Sequence, residues 1–168
     1  MSVERRVPGE APEASVQEHL ARYRFARDRV GGRILDVACG AGYGTSMLGA
    51  VGVDLSWDAL AAARSETDRL IRCNALRLPF GAAFDAVVSF ETVEHVPDPE
   101  GFVEECRRVL KPGGIFVVST PNRELWSPRS PKPLQPHHVK EFSLREFRAL
   151  LRPFRGVEWF GQLLMGRG

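Results

Sequence analysis

The sequence contains little cysteine, no long hydrophobic run and almost no net charge. Its three cysteines form no C-x-x-C pair and are odd in number, which argues against a disulfide framework and favours an intracellular protein with buried thiols. No segment reaches the roughly 18 apolar residues that a membrane span requires, and residues 1–13 lack the apolar stretch of a secretory signal. We therefore expect a cytoplasmic chain that does not enter a membrane.

The charge balance is close to neutral, with 23 Lys and Arg against 21 Asp and Glu and a formal net charge of +2. Such a balance supplies no broad attraction to nucleic acid, so we do not expect a nucleic-acid partner. The length of 168 residues, 43% of them hydrophobic, is typical of one globular domain. We place that domain at residues 13–168, after a flexible N-terminus at residues 1–12.

Hydrophobic periodicity predicts alternating helices and strands, the pattern of a parallel sheet covered by helices. The predicted strands are residues 34–37, 51–54, 70–73, 84–90, 115–119 and 157–164. The predicted helices are residues 13–29, a short one that ends near 49, and then 57–66, 99–110 and 144–151. Residues 121–138 contain five of the twelve prolines, which indicates a long irregular loop.

Three of these helices carry capping signals at their starts. Ser56 and Asp98 are predicted N-cap residues, and Pro99 occupies a first helical position, where its missing N–H costs nothing. Ser143 and Glu146 have the spacing of a capping box. The last helix is therefore well specified by its own first turn.

A glycine-rich turn joins the first predicted strand to the helix that follows it. Residues 36–45 read Asp-Val-Ala-Cys-Gly-Ala-Gly-Tyr-Gly-Thr. Gly40 and Gly42 permit a tight turn against which a ligand can lie, and the helix N-terminus behind them presents free N–H groups. Asp54 ends the second strand, where its carboxylate can accept both hydroxyls of a ribose. These features predict a nucleoside-containing cofactor across the first two strands.

A dinucleotide is one alternative for that cofactor. Its G-x-G-x-x-G fingerprint requires glycine at position 45, where this sequence has threonine. Residues 36–45 instead resemble motif I of the class I S-adenosylmethionine-dependent methyltransferases, of the type 11-like kind, in which no phosphate is bound. Other segments are similar to that family in the same order over most of the chain. They are the ribose-binding strand end at 52–56, the adenine loop at 73–80, the fourth strand and its loop at 84–96, and the helix-to-strand turn at 109–114.

The resemblance implies a fold and a cofactor. The fold is of the α/β class, a Rossmann-like three-layer αβα sandwich with a mostly parallel sheet. Since only residues 157–168 follow the last predicted helix, we expect about six strands and a sheet trimmed at its C-terminal edge. The cofactor would be S-adenosylmethionine, with S-adenosylhomocysteine as its product.

The resemblance also implies cofactor contacts at particular positions. Gly40 and Gly42 would lie under the methionine and ribose parts, Asp54 would bind the ribose hydroxyls, and Leu55 would pack on the adenine. Asp36 would contact the methionine amino group, unless its carboxylate only caps the glycine loop. The other predicted cofactor contacts are Ala38, Tyr43, Asn74, Ala75, Leu76 and Phe90.

The predicted N-terminal helix would close over the cofactor. In similar enzymes a segment at this place covers the bound molecule, so Tyr23 or Arg24 would reach its carboxylate. The alternative is that Tyr23 fills the core and Arg24 is solvated.

The candidates for catalysis follow the fourth strand and the proline-rich loop. Methyl transfer from a sulfonium is an in-line displacement, so positioning supplies much of the rate and a base serves only an acceptor that must lose a proton. We predict that Glu91, His95 and His138 are the catalytic residues, with a histidine as the base. The alternative for His95 is a hydrogen bond within its loop. The predicted acceptor is a small molecule that is methylated at oxygen or nitrogen.

Two other functions remain open for this cluster. Glu91-x-x-Glu94-His95 with His138 downstream also resembles the metal site of small-RNA 3′-terminal 2′-O-methyltransferases, but many bacterial small-molecule methyltransferases show the same pattern. We therefore predict no metal and keep metal-assisted RNA 2′-O-methylation as an alternative. A non-catalytic S-adenosylmethionine-binding module is the other alternative. Finally, a sheet edge completed by a second copy would produce a homodimer.

Overall fold

The computed structural model describes residues 13–128 and 133–162, in which helices and strands alternate. The elements are α1 (Glu13–Arg27), β1 (Ile34–Val37), α2 (Tyr43–Leu48), β2 (Val51–Asp54), α3 (Trp57–Ala63), β3 (Leu70–Arg72), β4 (Phe84–Phe90), α4 (Pro99–Val109), β5 (Leu110–Ser119), α5 (Arg123–Trp126) and α6 (Leu144–Leu150). No helix among the described residues is long and apolar enough to cross a membrane. The flexible N-terminus predicted at residues 1–12 lies outside the described residues.

The strands form one parallel sheet in the order β3-β2-β1-β4-β5. In the centre, Leu35 of β1 lies beside Val51 of β2 on one side and Val87 of β4 on the other. The chain moves outward from β1 to β3 and then crosses to the opposite side of β1 at β4. In such sheets, ligands bind beyond the carboxyl ends of the strands, where the strand order reverses. The fold therefore places the candidate site after β1, β2 and β4.

Helices cover both faces of the sheet and produce three layers. On one face, Tyr23 of α1 packs in a cluster with Val88 of β4. On the other face, Phe102 of α4 and Leu150 of α6 pack in a cluster with Val87. Val87 and Val88 point to opposite sides because side chains alternate along a strand. The predicted Rossmann-like α/β sandwich is confirmed, with five strands in the described part of the chain where about six were expected.

The predicted capping residues do begin their helices. Ser56 and Asp98 each accept a backbone N–H from the first turn of α3 and α4, at 3.3 and 2.9 Å. Ser143 and Glu146 form both hydrogen bonds of the capping box at the start of α6. Each bond satisfies an N–H that a helix start otherwise leaves unpaired.

The strand predicted at residues 157–164 is wrong for the part that the structure describes, because residues 157–162 form no strand. The Phe160 ring packs on Phe25 of α1, with ring centroids 4.8 Å apart, and Trp159 packs on Phe147 of α6 at 5.8 Å. Aromatic contacts with helices on both faces of the sheet therefore hold this segment. Residues 163 and 164 lie outside the described part of the chain.

Several helices and β3 end one to three residues before their predicted ends, and larger differences concern β5 and the proline-rich loop. β5 begins at Leu110, which pairs with Phe84 before the register shifts ahead of Ile115. The Lys-Pro-Gly-Gly turn is thus an irregularity within β5, and Gly113 has a φ of 80°, which glycine adopts readily. The loop predicted at residues 121–138 also contains the single-turn helix α5.

Candidate active site

The loop after β1 presents open backbone at the carboxyl edge of the sheet. Gly40 and Gly42 have φ values of 54° and 80°, in the left-handed region that favours glycine. A Cβ at Gly40 would meet nothing within 4 Å, whereas a Cβ at Gly42 would lie 2.6 Å from the Cβ of Ala63. Ala38, at the start of the loop, also has a positive φ of 61°, which stores strain in an alanine. Gly40 therefore forms an open floor, and Gly42 lets the loop pack on α3.

Asp54 ends β2 beside this floor. Its Oδ2 accepts the Gly40 N–H at 3.0 Å, and its Oδ1 accepts the Ser56 N–H at 2.8 Å. The carboxylate is half-buried, and each of its oxygens retains a further lone pair. It can therefore accept two more hydroxyl donors, as the predicted ribose contact requires.

Asp36 and Tyr23 lie buried below the loop. Asp36 accepts hydrogen bonds from the Tyr23 hydroxyl at 3.1 and 3.2 Å and from Thr45 Oγ1 at 2.6 Å. Burial raises the pKa of Asp36 to about 7, although the hydrogen bonds from Thr45 and Tyr23 act to lower it. Burial also raises the pKa of Tyr23, with the charge of Asp36 acting in the same direction. Neither side chain presents surface to a ligand in this conformation, so their cofactor contacts stay predictions.

An aromatic cluster covers the ends of β1 and β4 on the side of α1. The Tyr23 ring lies edge to face with Phe90, at 4.9 Å between centroids, and with Tyr43, at 5.9 Å. The Nδ1 atom of His19 is hydrogen-bonded to the Tyr43 hydroxyl. Helix α1 thus closes this side of the site. The predicted contacts of Phe90 and Tyr43 with the cofactor remain predictions.

The residues predicted to contact the adenine lie at the ends of β2 and β3. Leu55 is 57% exposed and is available to pack on a planar base. The Oδ1 atom of Asn74 accepts the Leu76 N–H at 2.9 Å, which leaves its amide NH₂ as the group that a ligand can meet. The partly buried residues of this loop that pack against the core are Cys73, Ala75, Leu76 and Phe80.

Glu91 directly follows β4 in a strained conformation, with a φ of 52°. Its Oε1 accepts a hydrogen bond from Ser119 Oγ at 2.8 Å, and its Oε2 lies 3.7 Å from Nη2 of Arg22. The Nη1 atom of Arg22 is buried and has no hydrogen-bond partner among the described residues. Because such a donor is costly to leave unpaired, Arg22 is suited to an anionic group of a ligand.

Arg22 is not among the candidates predicted from the sequence. Tyr23 faces the core and Arg24 is exposed, so neither of the two predicted neighbours occupies this position. Arg22 lies three residues after His19 and four before Ala26, which places it along the same side of α1. That spacing is the signal that could have identified it.

Glu94, His95 and His138 meet where the loop after β4 contacts the proline-rich loop. One nitrogen or oxygen atom of each lies within 4.8 Å of the other two. The centroids of the two imidazole rings are 4.9 Å apart, and His95 Nε2 lies 4.0 Å from Glu94 Oε1. Val139 and Lys140 donate their N–H groups to the Glu94 carbonyl at 2.7 and 3.1 Å, which joins the two loops.

Glu94 is a fully buried carboxylate. Its Oε2 accepts a hydrogen bond from Thr120 Oγ1 at 2.9 Å, but its Oε1 has no hydrogen-bond partner in the part of the chain that the structure describes. Burial raises the pKa of Glu94 to about 8, and the charge of Glu91 acts in the same direction. The unsatisfied oxygen lies 4.0 Å from His95 Nε2.

A second carboxylate orients His138. The Nδ1 atom of His138 lies 3.0 Å from Glu141 Oε1, and the Ser127 hydroxyl donates to Glu141 Oε2. Burial acts to raise the pKa of Glu141, but the bonds from Ser127 and His138 outweigh it and hold this pKa below its usual range. An ionised carboxylate only accepts, so neutral His138 carries its proton on Nδ1 and a lone pair on Nε2. His95 has the same tautomer, since its Nδ1 lies 2.9 Å from the carbonyl oxygen of His137.

The fold and the glycine loop define a protein that binds a nucleoside cofactor, and comparison with known proteins identifies its class. The model of the methyltransferase domain family matches residues 35–118. A probable S-adenosylmethionine-dependent methyltransferase of Mycolicibacterium smegmatis is 39% identical over 158 residues, which cover 88% of this chain and 62% of the relative. The chain therefore belongs to the methyltransferase domain family, whose methyl donor is S-adenosylmethionine.

A further relative agrees with this assignment, and a solved structure shares the fold. A ubiquinone biosynthesis O-methyltransferase of Bradyrhizobium diazoefficiens is 41% identical over 102 residues, 54% of this chain and 40% of that protein. A Thermotoga maritima structure described as a possible histamine N-methyltransferase has the same fold, with a TM-score of 0.70, 24% identity, and coverage of 80% of this chain and 69% of that one. This chain spans between 51% and 62% of the length of the first curated relatives that it matches.

The residues present fit the cofactor of that family. The floor at Gly40 is open, the Asp54 carboxylate is fixed by two backbone N–H groups, and Leu55 is exposed beside it. The predicted family, fold and cofactor are thus confirmed.

Proposed function

We propose that this chain transfers a methyl group from S-adenosylmethionine to a small-molecule acceptor, at oxygen in the first place and at nitrogen as the second choice. The main support for the proposal is that two features lie at the same edge of the sheet. The open loop at Gly40 and Asp54 lies after β1 and β2, and the histidine pair lies after β4. The curated O-methyltransferase relative supports an oxygen acceptor. The three free cysteines support a cytoplasmic location.

S-adenosylmethionine, when bound, supplies an electrophilic methyl group on a sulfonium. The residues of this chain that would hold it are Asp54 at the ribose hydroxyls, Leu55 at the adenine and Arg22 at the carboxylate. Arg22 fits because its buried Nη1 has no partner among the residues described. Holding the methyl donor and the acceptor in the reacting geometry supplies much of the rate acceleration of such a transfer.

The histidine pair suits an acceptor that must lose a proton. His138 keeps its Nδ1 proton on Glu141, so its Nε2 can accept a proton from an acceptor hydroxyl. Glu141 then stabilises the imidazolium through the same bond. Glu91, which is hydrogen-bonded to Ser119 and lies 3.7 Å from Arg22, supplies a fixed carboxylate directly after β4. Methyl transfer to oxygen therefore has a base with an orienting partner.

Cofactor binding is tested by calorimetry with S-adenosylhomocysteine on the purified chain. We expect Asp54→Asn to weaken binding at least about tenfold, since hydrogen bonds to charged groups contribute roughly 1.5–3 kcal/mol. Asp68→Asn is the matched control, because Asp68 is exposed on the turn before β3. Absence of S-adenosylhomocysteine binding by the unaltered chain contradicts the proposal, and equal affinity of Asp54→Asn contradicts the ribose assignment.

The acceptor class is tested by release of S-adenosylhomocysteine with phenols and hydroxy acids, primary amines, and single-stranded RNA. We expect turnover with small hydroxyl acceptors, and a decrease of kcat by about 10²–10⁴ in His138→Gln with unchanged cofactor affinity. Turnover with RNA alone favours RNA 2′-O-methylation instead. Cofactor binding without turnover of any acceptor favours a non-catalytic binding module.

A further inference from the structure

We propose that Glu105 and Arg108 of α4 are positioning residues for the adenine part of the cofactor, because they hold the adenine loop (residues 73–80) in the shape that receives the base. They act through the backbone of this loop, and no contact with the base is required of them. The inference deepens the cofactor site of the proposed function and rests on the assignment of the adenine to this loop.

The two side chains form a bidentate ion pair across one turn of α4. The Nε and Nη2 atoms of Arg108 donate to Oε1 and Oε2 of Glu105, at 2.7 and 2.8 Å. The bonds from Arg108 hold the pKa of Glu105 below its usual range, so this carboxylate is ionised. Two parallel charge-assisted bonds fix the orientation of both groups. The donors and acceptors that remain on the pair therefore have a defined direction.

The pair binds the backbone of the adenine loop at its second half. Glu105 Oε2 accepts the Leu78 N–H at 2.7 Å, and Arg108 Nη2 donates to the Leu78 carbonyl at 2.8 Å. The Nη1 atom of Arg108 donates to the Phe80 carbonyl at 2.5 Å. Three hydrogen bonds from one ion pair thus hold the part of the loop that leads towards β4.

The first half of the adenine loop is held on the other side, by β2. The Cys73 N–H donates to the Asp54 carbonyl at 3.1 Å, at the residue assigned to the ribose. Asn74 closes a turn, since its Oδ1 accepts the Leu76 N–H at 2.9 Å. The predicted adenine contacts, Ala75 and Leu76, therefore lie between an anchor on β2 and an anchor on α4. A loop that is fixed at both ends loses less conformational freedom when it binds a ligand, so the anchor on α4 should raise the affinity for the base.

A second ion pair on α4 shows that the helix itself does not require the contact with the loop. Glu104 and Arg107 have the same i,i+3 spacing, and Arg107 Nη2 lies 2.8 Å from Glu104 Oε2. Within residues 13–128 and 133–162, the side chains of this pair form hydrogen bonds only with each other. Both pairs support the helix in the same way. The comparison of the two therefore separates support of the helix from support of the adenine loop.

The proposal is tested with Arg108→Met and with Arg107→Met as the matched control, since each variant removes one guanidinium from α4 and keeps an unbranched side chain. Calorimetry measures the affinity of each variant for S-adenosylhomocysteine and for S-inosylhomocysteine, in which an oxygen replaces the amino group of the adenine. We expect Arg108→Met to bind S-adenosylhomocysteine about tenfold more weakly, because the loop must then be ordered on binding. The inosine analogue should lose less, so the preference for adenine falls in Arg108→Met and is retained in Arg107→Met.

Amide hydrogen exchange reports on the loop without any ligand. We expect the Leu76 and Leu78 N–H groups to exchange about tenfold faster or more in Arg108→Met, because the loop opens more often when its anchor is lost. Arg107→Met should leave both rates unchanged. Arg108→Lys keeps the charge and loses the planar fork, so its affinities and exchange rates should lie between those of Arg108→Met and the unaltered chain.

Thermal unfolding checks that each variant is folded, and Arg108→Lys replaces Arg108→Met if the latter is not. The proposal is overturned if the folded variant keeps both its affinity and its preference for adenine, or if Arg107→Met loses as much of either. A loss by the same factor for both ligands also overturns it, because general destabilisation then explains the effect. Failure of the unaltered chain to bind S-adenosylhomocysteine contradicts the proposed function instead, and the exchange rates then still decide whether the pair holds the loop.

Discussion

Gly40 and Gly42 share a left-handed backbone but differ in what surrounds them. We predict that Gly40→Ala costs about 1 kcal/mol of stability, the penalty of the conformation alone, yet weakens S-adenosylhomocysteine binding at least tenfold because its methyl group occupies the open floor. Gly42→Ala should cost about 3 kcal/mol, since its methyl group also overlaps Ala63. Urea unfolding and calorimetry measure both. Unchanged affinity in Gly40→Ala contradicts the assignment of the floor.

Asp36 should give the protein a distinctive pH dependence of stability. Its pKa is raised from 3.8 to about 7 by burial, so between these values the folded state holds a proton that the unfolded state has released. The contribution of Asp36 is therefore complete below about pH 4 and is lost as the pH rises towards 7. Tyr23 and Thr45 donate to this carboxylate, and the charge of Asp54 also raises its pKa.

Asp36→Asn removes this titration while keeping one acceptor oxygen for Tyr23 and Thr45. Between about pH 5 and pH 7, we expect the unaltered chain to lose on the order of 2 kcal/mol more stability than the variant, because one pKa unit corresponds to about 1.4 kcal/mol. Urea unfolding at both pH values measures the difference, and Asp68→Asn serves as an exposed control. Parallel stability curves for the unaltered chain and Asp36→Asn contradict the prediction.

Among the elements, α6 depends on the capping box at its start. Ser143 Oγ accepts the Glu146 N–H at 3.2 Å, and Glu146 Oε2 accepts the Ser143 N–H at 2.9 Å. We predict that Ser143→Ala destabilises the protein by about 1 kcal/mol, since it removes one of these bonds at a helix N-terminus. Ser46→Ala on α2 is the control, because Ser46 is exposed within a helix. Equal urea midpoints for the two variants contradict the prediction.

The strand ends supply the site with strained residues. Ala38 after β1 and Glu91 after β4 both have positive φ values, which are unfavourable outside glycine. Both lie at the carboxyl edge, on the two strands that flank the reversal of strand order. The strain therefore lies where the loops leave the sheet to surround a ligand.

At the scale of the whole molecule, β5 is an edge strand of the described sheet. An exposed edge can pair with another strand, and Ile115 on it is 45% exposed. We predict a homodimer through β5, with twice the monomer mass in light scattering. Ile115→Lys should shift it to the monomer, whereas Leu125→Lys on exposed α5 should not. A monomeric mass for the unaltered chain at high concentration contradicts this prediction.

Much of the fold could be predicted because it depends on local signals. β1, β2 and β4 have their predicted bounds, since short apolar runs between turn residues allow few alternatives. The segment at residues 157–162 could not be predicted, because its apolar residues fit a strand as well as they fit contacts with helices. Only the packing of α1 and α6 against this segment decides between a strand and contacts with helices.

The candidate site divides in the same way. The sequence by itself determined the glycine loop, the carboxylate at Asp54 and the class of cofactor, because turn chemistry and strand ends are encoded by neighbouring residues. Only the tertiary structure decided that Arg22 faces Glu91 and that Glu141 orients His138. Arg22 and Glu91 are distant along the chain, and their contact depends on how α1 packs on the sheet. Glu141 follows His138 by only three residues, but the loop between them is irregular, and Ser127 from an earlier part of the chain holds the Glu141 carboxylate. Packing between segments, and not a repeating local pattern, therefore brings these groups together.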